Sequence, residues 1–142
     1  MDTIESIIRQ VAEDKFPAFT YVFESWTDAD AKMERLRYPA ILCVMPTAGV
    51  MSIRNGVTYD TEYIGLAFLD MAPRGADGDD NERVYTSMKN LAVKFIDELN
   101  RTRKLEPIER VNYDIICERM ASIVSGVLLQ LEVRQRRIGG CE

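Results

Sequence analysis

The sequence predicts an α+β fold: a mostly antiparallel sheet with a β-hairpin, a short N-terminal helix and one long helix packed on the sheet. Three features predict it. Asn55-Gly56 sits between two strand-like runs and accepts the positive φ angles that a two-residue type I′ turn requires. Val84, Met88, Leu91, Ala92, Phe95, Ile96 and Leu99 repeat at helical spacing over several turns. The other strand-like runs cluster before and after that helix and do not alternate with helices, which indicates segregated layers and not a doubly wound sheet. With 142 residues, 46% of them hydrophobic, the chain is expected to form a single domain over residues 1–142 with a real core.

Taken in order, Ile4, Ile7, Ile8, Val11 and Ala12 give an amphipathic helix, with Asp2 and Glu5 spaced as a capping pair and Pro17 closing it. "AFTYVFES" (18–25) is aromatic and β-branched, so it reads as the first strand. "WTDADAKMERLR" (26–37) carries only Met33 and Leu36 as a thin apolar face and reads as a loop with a possible helical turn. "YPAILCVMP" is an apolar run between Pro39 and Pro46, short enough to be a buried strand. Residues 50–60 form the hairpin. Its second strand runs on through "TEYIGLAFLDM", where Ile64, Leu66 and Phe68 alternate with Tyr63, Ala67 and Leu69, so both faces are apolar and the strand is central.

The long helix is expected from Asp80, exposing Glu82, Arg83, Lys89, Lys94, Asp97 and Glu98, and ending before Pro107. Two long antiparallel strands complete the sheet. Val111, Tyr113, Ile115 and Cys117 line one face of the first, and Ile123, Val127, Leu129, Leu131 and Val133 line one face of the second. Met45, Met51, Met71 and Met88 lie in apolar runs and are expected in the core; Ser122 and Ser125 are expected at the polar end of a sheet face.

Composition narrows function. A formal charge of −5 disfavours a nucleic-acid-binding module, which needs a basic stripe to neutralise phosphates. "RTRK" (101–104) and "RQRR" (134–137) sit at expected element ends and read as solvated cations. The three cysteines, Cys43, Cys117 and Cys141, are odd in number and widely spaced, which fits reduced thiols in a cytoplasm and not a disulfide framework. No membrane span and no signal peptide are expected. With no histidine, Ser-His-Asp and Cys-His nucleophiles and histidine metal sites are excluded together.

"DMAPRGADGDDNERVY" (70–85) is the one acidic cluster that resembles a site. Read from Asp77 as a calcium loop, it places Asp79 and Asn81 correctly, then puts Glu82 where the turn needs glycine and Met88 where a bidentate glutamate belongs. Pro73, Gly75 and Gly78 account for the turn, and Asp79 or Asp80 for a helix cap. The glycines form no phosphate-binding or dinucleotide fingerprint. No catalytic, cofactor-binding or metal residue is assigned, and no cofactor is expected.

The runs "RYPAILCVMPTAG", "EYIGLAFLDMAP", "DGDDNERVYTSMKNLAVKFIDEL" and "IVSGVLLQLEV", in this order over residues 18–135, resemble the small α+β proteins of the tail-terminator and tail-completion group at the neck of tailed bacteriophages. That group has no diagnostic site motif, only this order of types and spacings. The resemblance implies a non-catalytic subunit of a ring, commonly a hexamer, that stops tail-tube growth and joins the tail to the head. Its partners would be further copies of itself, tail-tube proteins and head-connector proteins, in the virion or the host bacterial cytoplasm. On this view Met51, Ile53, Asn55, Gly56, Val57 and Tyr59 of the hairpin are the candidate oligomer interface, because a hairpin can add to a neighbour's sheet. The alternative is a ligand-binding or enzymatic α+β domain of a bacterial cytosolic protein, with its pocket between the sheet and the long helix.

Overall fold

The computed structural model describes residues 3–25, 36–72, 77–117 and 124–138. Helix α1 (Ile4–Lys15) leads to strands β1 (Thr20–Glu24), β2 (Ala40–Val44), β3 (Gly49–Arg54) and β4 (Val57–Met71). Helix α2 (Gly78–Thr102) and strands β5 (Asn112–Cys117) and β6 (Val124–Ile138) follow. The six strands form one mixed sheet in the order β1-β2-β4-β6-β5, with β3 also paired to β4. Only β1 and β2 run parallel; every other pairing is antiparallel. This is the expected α+β architecture.

β4 is the spine. It pairs along its full length, Val57–Met71, with β6 on one side. On its other side β2 covers Gly65–Leu69 and β3 covers Val57–Glu62. Because side chains alternate along a strand, the two faces of β4 enter two cores. Ile64, Leu66 and Phe68 meet both helices, whereas Ala67 and Leu69 join Leu42, Ile116 and Val124 on the opposite face, where Leu36 and Tyr38 pack against them. Both faces are apolar because both are covered.

α2 presents Met88, Ala92, Phe95 and Leu99 to the sheet, all buried. Phe95 sits between Phe68, with ring centroids 5.4 Å apart, and Phe16 at 5.3 Å. Its start differs from expectation: the cap is Asp77 and not Asp79 or Asp80. Asp77 accepts from the Asp80 amide at 2.9 Å, and Asp80 accepts in return from the Asp77 amide at 3.3 Å. A reciprocal capping box of this kind satisfies two backbone donors at once. Thr3 caps α1 by accepting from the Ser6 amide at 3.1 Å. Past α2, Asn100 clasps Ile108 through both its amide atoms, at 2.9 and 3.0 Å, and so fixes the connector to β5.

Several side chains depart from the sequence reading. Met88 is buried, but Met45, Met51 and Met71 are 46%, 71% and 52% exposed, because they sit at strand ends and on the hairpin beyond the helices. Ser125 is fully buried and donates to Asn81 of α2 at 2.6 Å. β5 has only six residues, and its helix-side Tyr113 and Ile115 are half exposed because α2 lies over β4 and β6. "RQRR" forms the C-terminal end of β6, as expected, but Gln135 within it is buried. Gly126 permits β4 and β6 to meet closely, since a Cβ there would fall 1.9 Å from the Phe68 carbonyl oxygen. The expectations for residues 26–35, and for Asp2, Pro73, Gly75, Ser122, Ile123 and Cys141, fall outside the described residues.

Candidate functional site

β2 ends opposite Gly65, and beyond that point β3 takes over the same side of β4, starting from the Gly49–Glu62 pair. β1 follows β2 only over Thr20–Glu24, so among the described residues no strand covers the outer edge of β3. The result is an arm built from β3, the first half of β4 and the last third of β6. Asn55 and Gly56 turn it with φ angles of 51° and 77°. These are the angles of the type I′ turn that the dipeptide predicted.

The six hairpin residues separate by role. Met51 and Ile53 pair with Asp60 and Thr58, so they share the helix side of the sheet with Ile64 and Phe68. They are 71% and 74% exposed, among the most open apolar side chains described. Val57 and Tyr59 fall on the opposite face and are half-buried; Tyr59 lies beneath the Arg134 guanidinium, 4.1 Å from its ring centroid. Asn55 and Gly56 make the tip. Val50, outside those six, is a further exposed apolar residue of β3, at 51%.

Charge follows the arm but does not gather into a constellation. Arg137 stands 4.0 Å from Asp60, a long and partly solvated pair. Burial, with the Asp60 charge adding to it, pushes the Glu62 carboxyl above its ordinary range. At the base of the arm, Tyr21 donates to Glu5 at 2.8 Å, and Arg9 donates to the same Glu5 oxygen at 3.1 Å. Cys43 is wholly buried beside Tyr21, and that burial pushes its thiol up to about 12. A thiol of that acidity stays protonated and is not a nucleophile near neutral pH. The cluster ties α1 to β1 and β2.

In the acidic segment, Asp77 and Asp80 are engaged by the helix cap, and Asp80 also pairs with Arg83. Their oxygens therefore complete a helix terminus. Between α2 and β4 the space is filled by Phe68, Phe95 and Leu99, each 0% exposed; the space left between α2 and the sheet lies at the β5 edge, beside Val93 and Tyr113. No helix among the described residues is long and apolar enough to cross a membrane.

A scan against protein-family models and a search of curated proteins return no match for this chain. What the arm does is therefore argued from its own geometry. An exposed strand with a free hydrogen-bonding edge and large apolar side chains is a template for pairing with another chain.

Proposed function

We infer that the protein is a structural component of a tailed bacteriophage or prophage. In this reading it sits at the tail end or the head-tail neck, as a homo-oligomeric ring that terminates the tail tube or joins it to the head. The observation that carries the reading is the arm: a six-residue strand with an open edge and Val50, Met51 and Ile53 outermost. Natural monomers blunt such edges with charges, prolines or covering loops, and this strand has only Arg54. An assembly interface explains why the edge is left apolar. The order of elements supports the reading as well, because the four runs that resemble tail terminators fold as β2, β4, α2 and β6 around one sheet.

The role needs no catalysis. Its partners are further copies of the chain, tail-tube subunits and head-connector proteins, and its place is the virion or, before assembly, the host bacterial cytoplasm. A net charge of −5 suits a ring through which DNA must pass without being held. The test mixes the purified protein with purified tail tubes and images their ends. Ring-shaped caps and arrested tube growth are expected. Uncapped tubes, together with tube growth unchanged by the protein, would sink the assignment.

A further inference from the structure

Nine large hydrophobic side chains are exposed among the described residues, and six of them concentrate at two places on opposite edges of the sheet. Val50, Met51 and Ile53 lie on β3. Val93, Tyr113 and Ile115, at 58%, 44% and 46% exposure, lie where α2 overlooks the edge strand β5. There an apolar groove of about 340 Å³ runs between the helix and the strand, floored by Ala92, Ile96, Val111 and Leu129. Lys89 bridges it, its ammonium 5.3 Å from the Tyr113 ring centroid. β5 pairs only with β6 among the described residues, so its outer edge is open too.

We propose that β3 of one copy adds to the β5 edge of the next and seats Met51 and Ile53 in the groove beside α2. Four independent features fit. Both strands have six residues, about 20 Å of ladder. β3 and β6 each run antiparallel to β4, and β5 runs antiparallel to β6, so β5 points opposite to β3. β3 lies beside Val57–Glu62 of β4 whereas β5 lies level with Gly65–Asp70, so a copy rotated about an axis inclined to the strands, and thereby shifted along them, offers β3 to β5 in antiparallel sense. The faces agree: Tyr113 and Ile115 pair with Leu129 and Val127 of the helix-side core, the face that Met51 and Ile53 occupy. Charge agrees as well. β3 carries the single cation Arg54, while Asp97 and Glu109 rim the groove and Asp114 lies on the far face of β5, the face Arg54 shares.

A register that sets Ile53 across from Tyr113 and Met51 across from Ile115 also brings Arg54 diagonal to Asp114, within reach of a long side chain. The two surfaces are different and lie on opposite edges, so the contact is heterologous, and repetition about one axis closes a ring or extends a filament. This rests on the homo-oligomeric part of the function inferred above. It does not depend on the phage assignment.

The test uses Ile53→Glu, which spoils the strand and leaves the groove, and Val93→Glu, which spoils the groove and leaves the strand. Both positions are exposed, so thermal melts should match the wild type and show that each variant folds. Native mass at high concentration should give oligomers for the wild type and monomers for each variant alone. An equal mixture of the two should then give a dimer of twice the monomer mass and nothing larger, since it contains one intact strand and one intact groove. Either variant oligomerising like the wild type overturns the inference while leaving a ring built through another surface. Monomeric variants that fail to pair when mixed also overturn it. So does a wild type that stays monomeric throughout, including one whose groove instead takes up tail-tube subunits in a Val93-dependent way; tube capping then judges the phage reading separately.

Discussion

Phe95 is enclosed by Phe68 and Phe16 and has no exposed surface, whereas its neighbour Lys94 points to solvent. Phe95→Ala is expected to cost about 3–5 kcal/mol, the range for emptying a fully packed aromatic site. Lys94→Ala should be close to neutral, and urea melts of the two variants make the comparison; equal midpoints would refute this helix phase. Cys43 gives a pH signature. Its thiol titrates near 9.0 when free and is pushed to about 12 by burial in the fold. Because the folded value is raised, the stabilisation is complete below pH 9 and is lost as pH climbs to about 12. Tyr21 is raised by burial too, so it acts in the same sense. Urea midpoints should fall across that window, and Cys43→Ala should flatten the fall; parallel curves would refute a buried thiol as a cause. Helical periodicity identified Phe95 as core, and the apolar run between Pro39 and Pro46 did the same for Cys43. The latter signal failed for Met45, Met51 and Met71, because an apolar run in sequence does not reveal where the covering helices stop.

Among the elements, the hairpin was the most legible, because only a few residue types tolerate the backbone its turn demands. Gly56 adopts a φ of 77°, so Gly56→Ala should cost about 1 kcal/mol or more, measured as a lowered melting temperature. An unchanged melt would mean that the turn relaxes without strain. The helix starts were less legible. Several acidic residues crowd each N-terminus, and the capping residue is decided by the path of the preceding turn, which spacing does not encode. Asp77→Ala should therefore destabilise by about 1 kcal/mol and Asp79→Ala by much less, since only Asp77 closes the capping box. The candidate interface was half legible. The Asn-Gly signal located the arm, but the groove that faces the opposite edge was missed: Val93 lies outside the helix's core stripe, and Tyr113 and Ile115 looked like ordinary buried strand residues. Their exposure follows from where α2 crosses the sheet, which is a tertiary fact.

Across the whole molecule, β4 passes from a two-sided core into the arm. Leu66 to Leu69 are covered on both faces, Tyr63 is 46% exposed, and β3 beside the first residues of β4 is exposed throughout. The parallel β1–β2 pair and the meeting of β2 and β3 end to end on β4 were not visible in the sequence, since strand patterns carry no information about partner or direction. Local stability should follow the same gradient, because amides under few buried contacts open at low free energy while core strands exchange only on global unfolding. Hydrogen exchange on dilute protein is thus expected to show the slowest amides at Leu66–Leu69 and rapid exchange along Gly49–Arg54. Raising the concentration should slow exchange in Gly49–Arg54 and in Asn112–Cys117 together, because assembly covers one edge with the other, and leave Leu66–Leu69 unchanged. Protection gained at one edge alone would mean that the two edges do not meet. A flat profile across all three segments would show that the arm is held as firmly as the core, and an exposed strand already that rigid would have no need of a second chain to complete it.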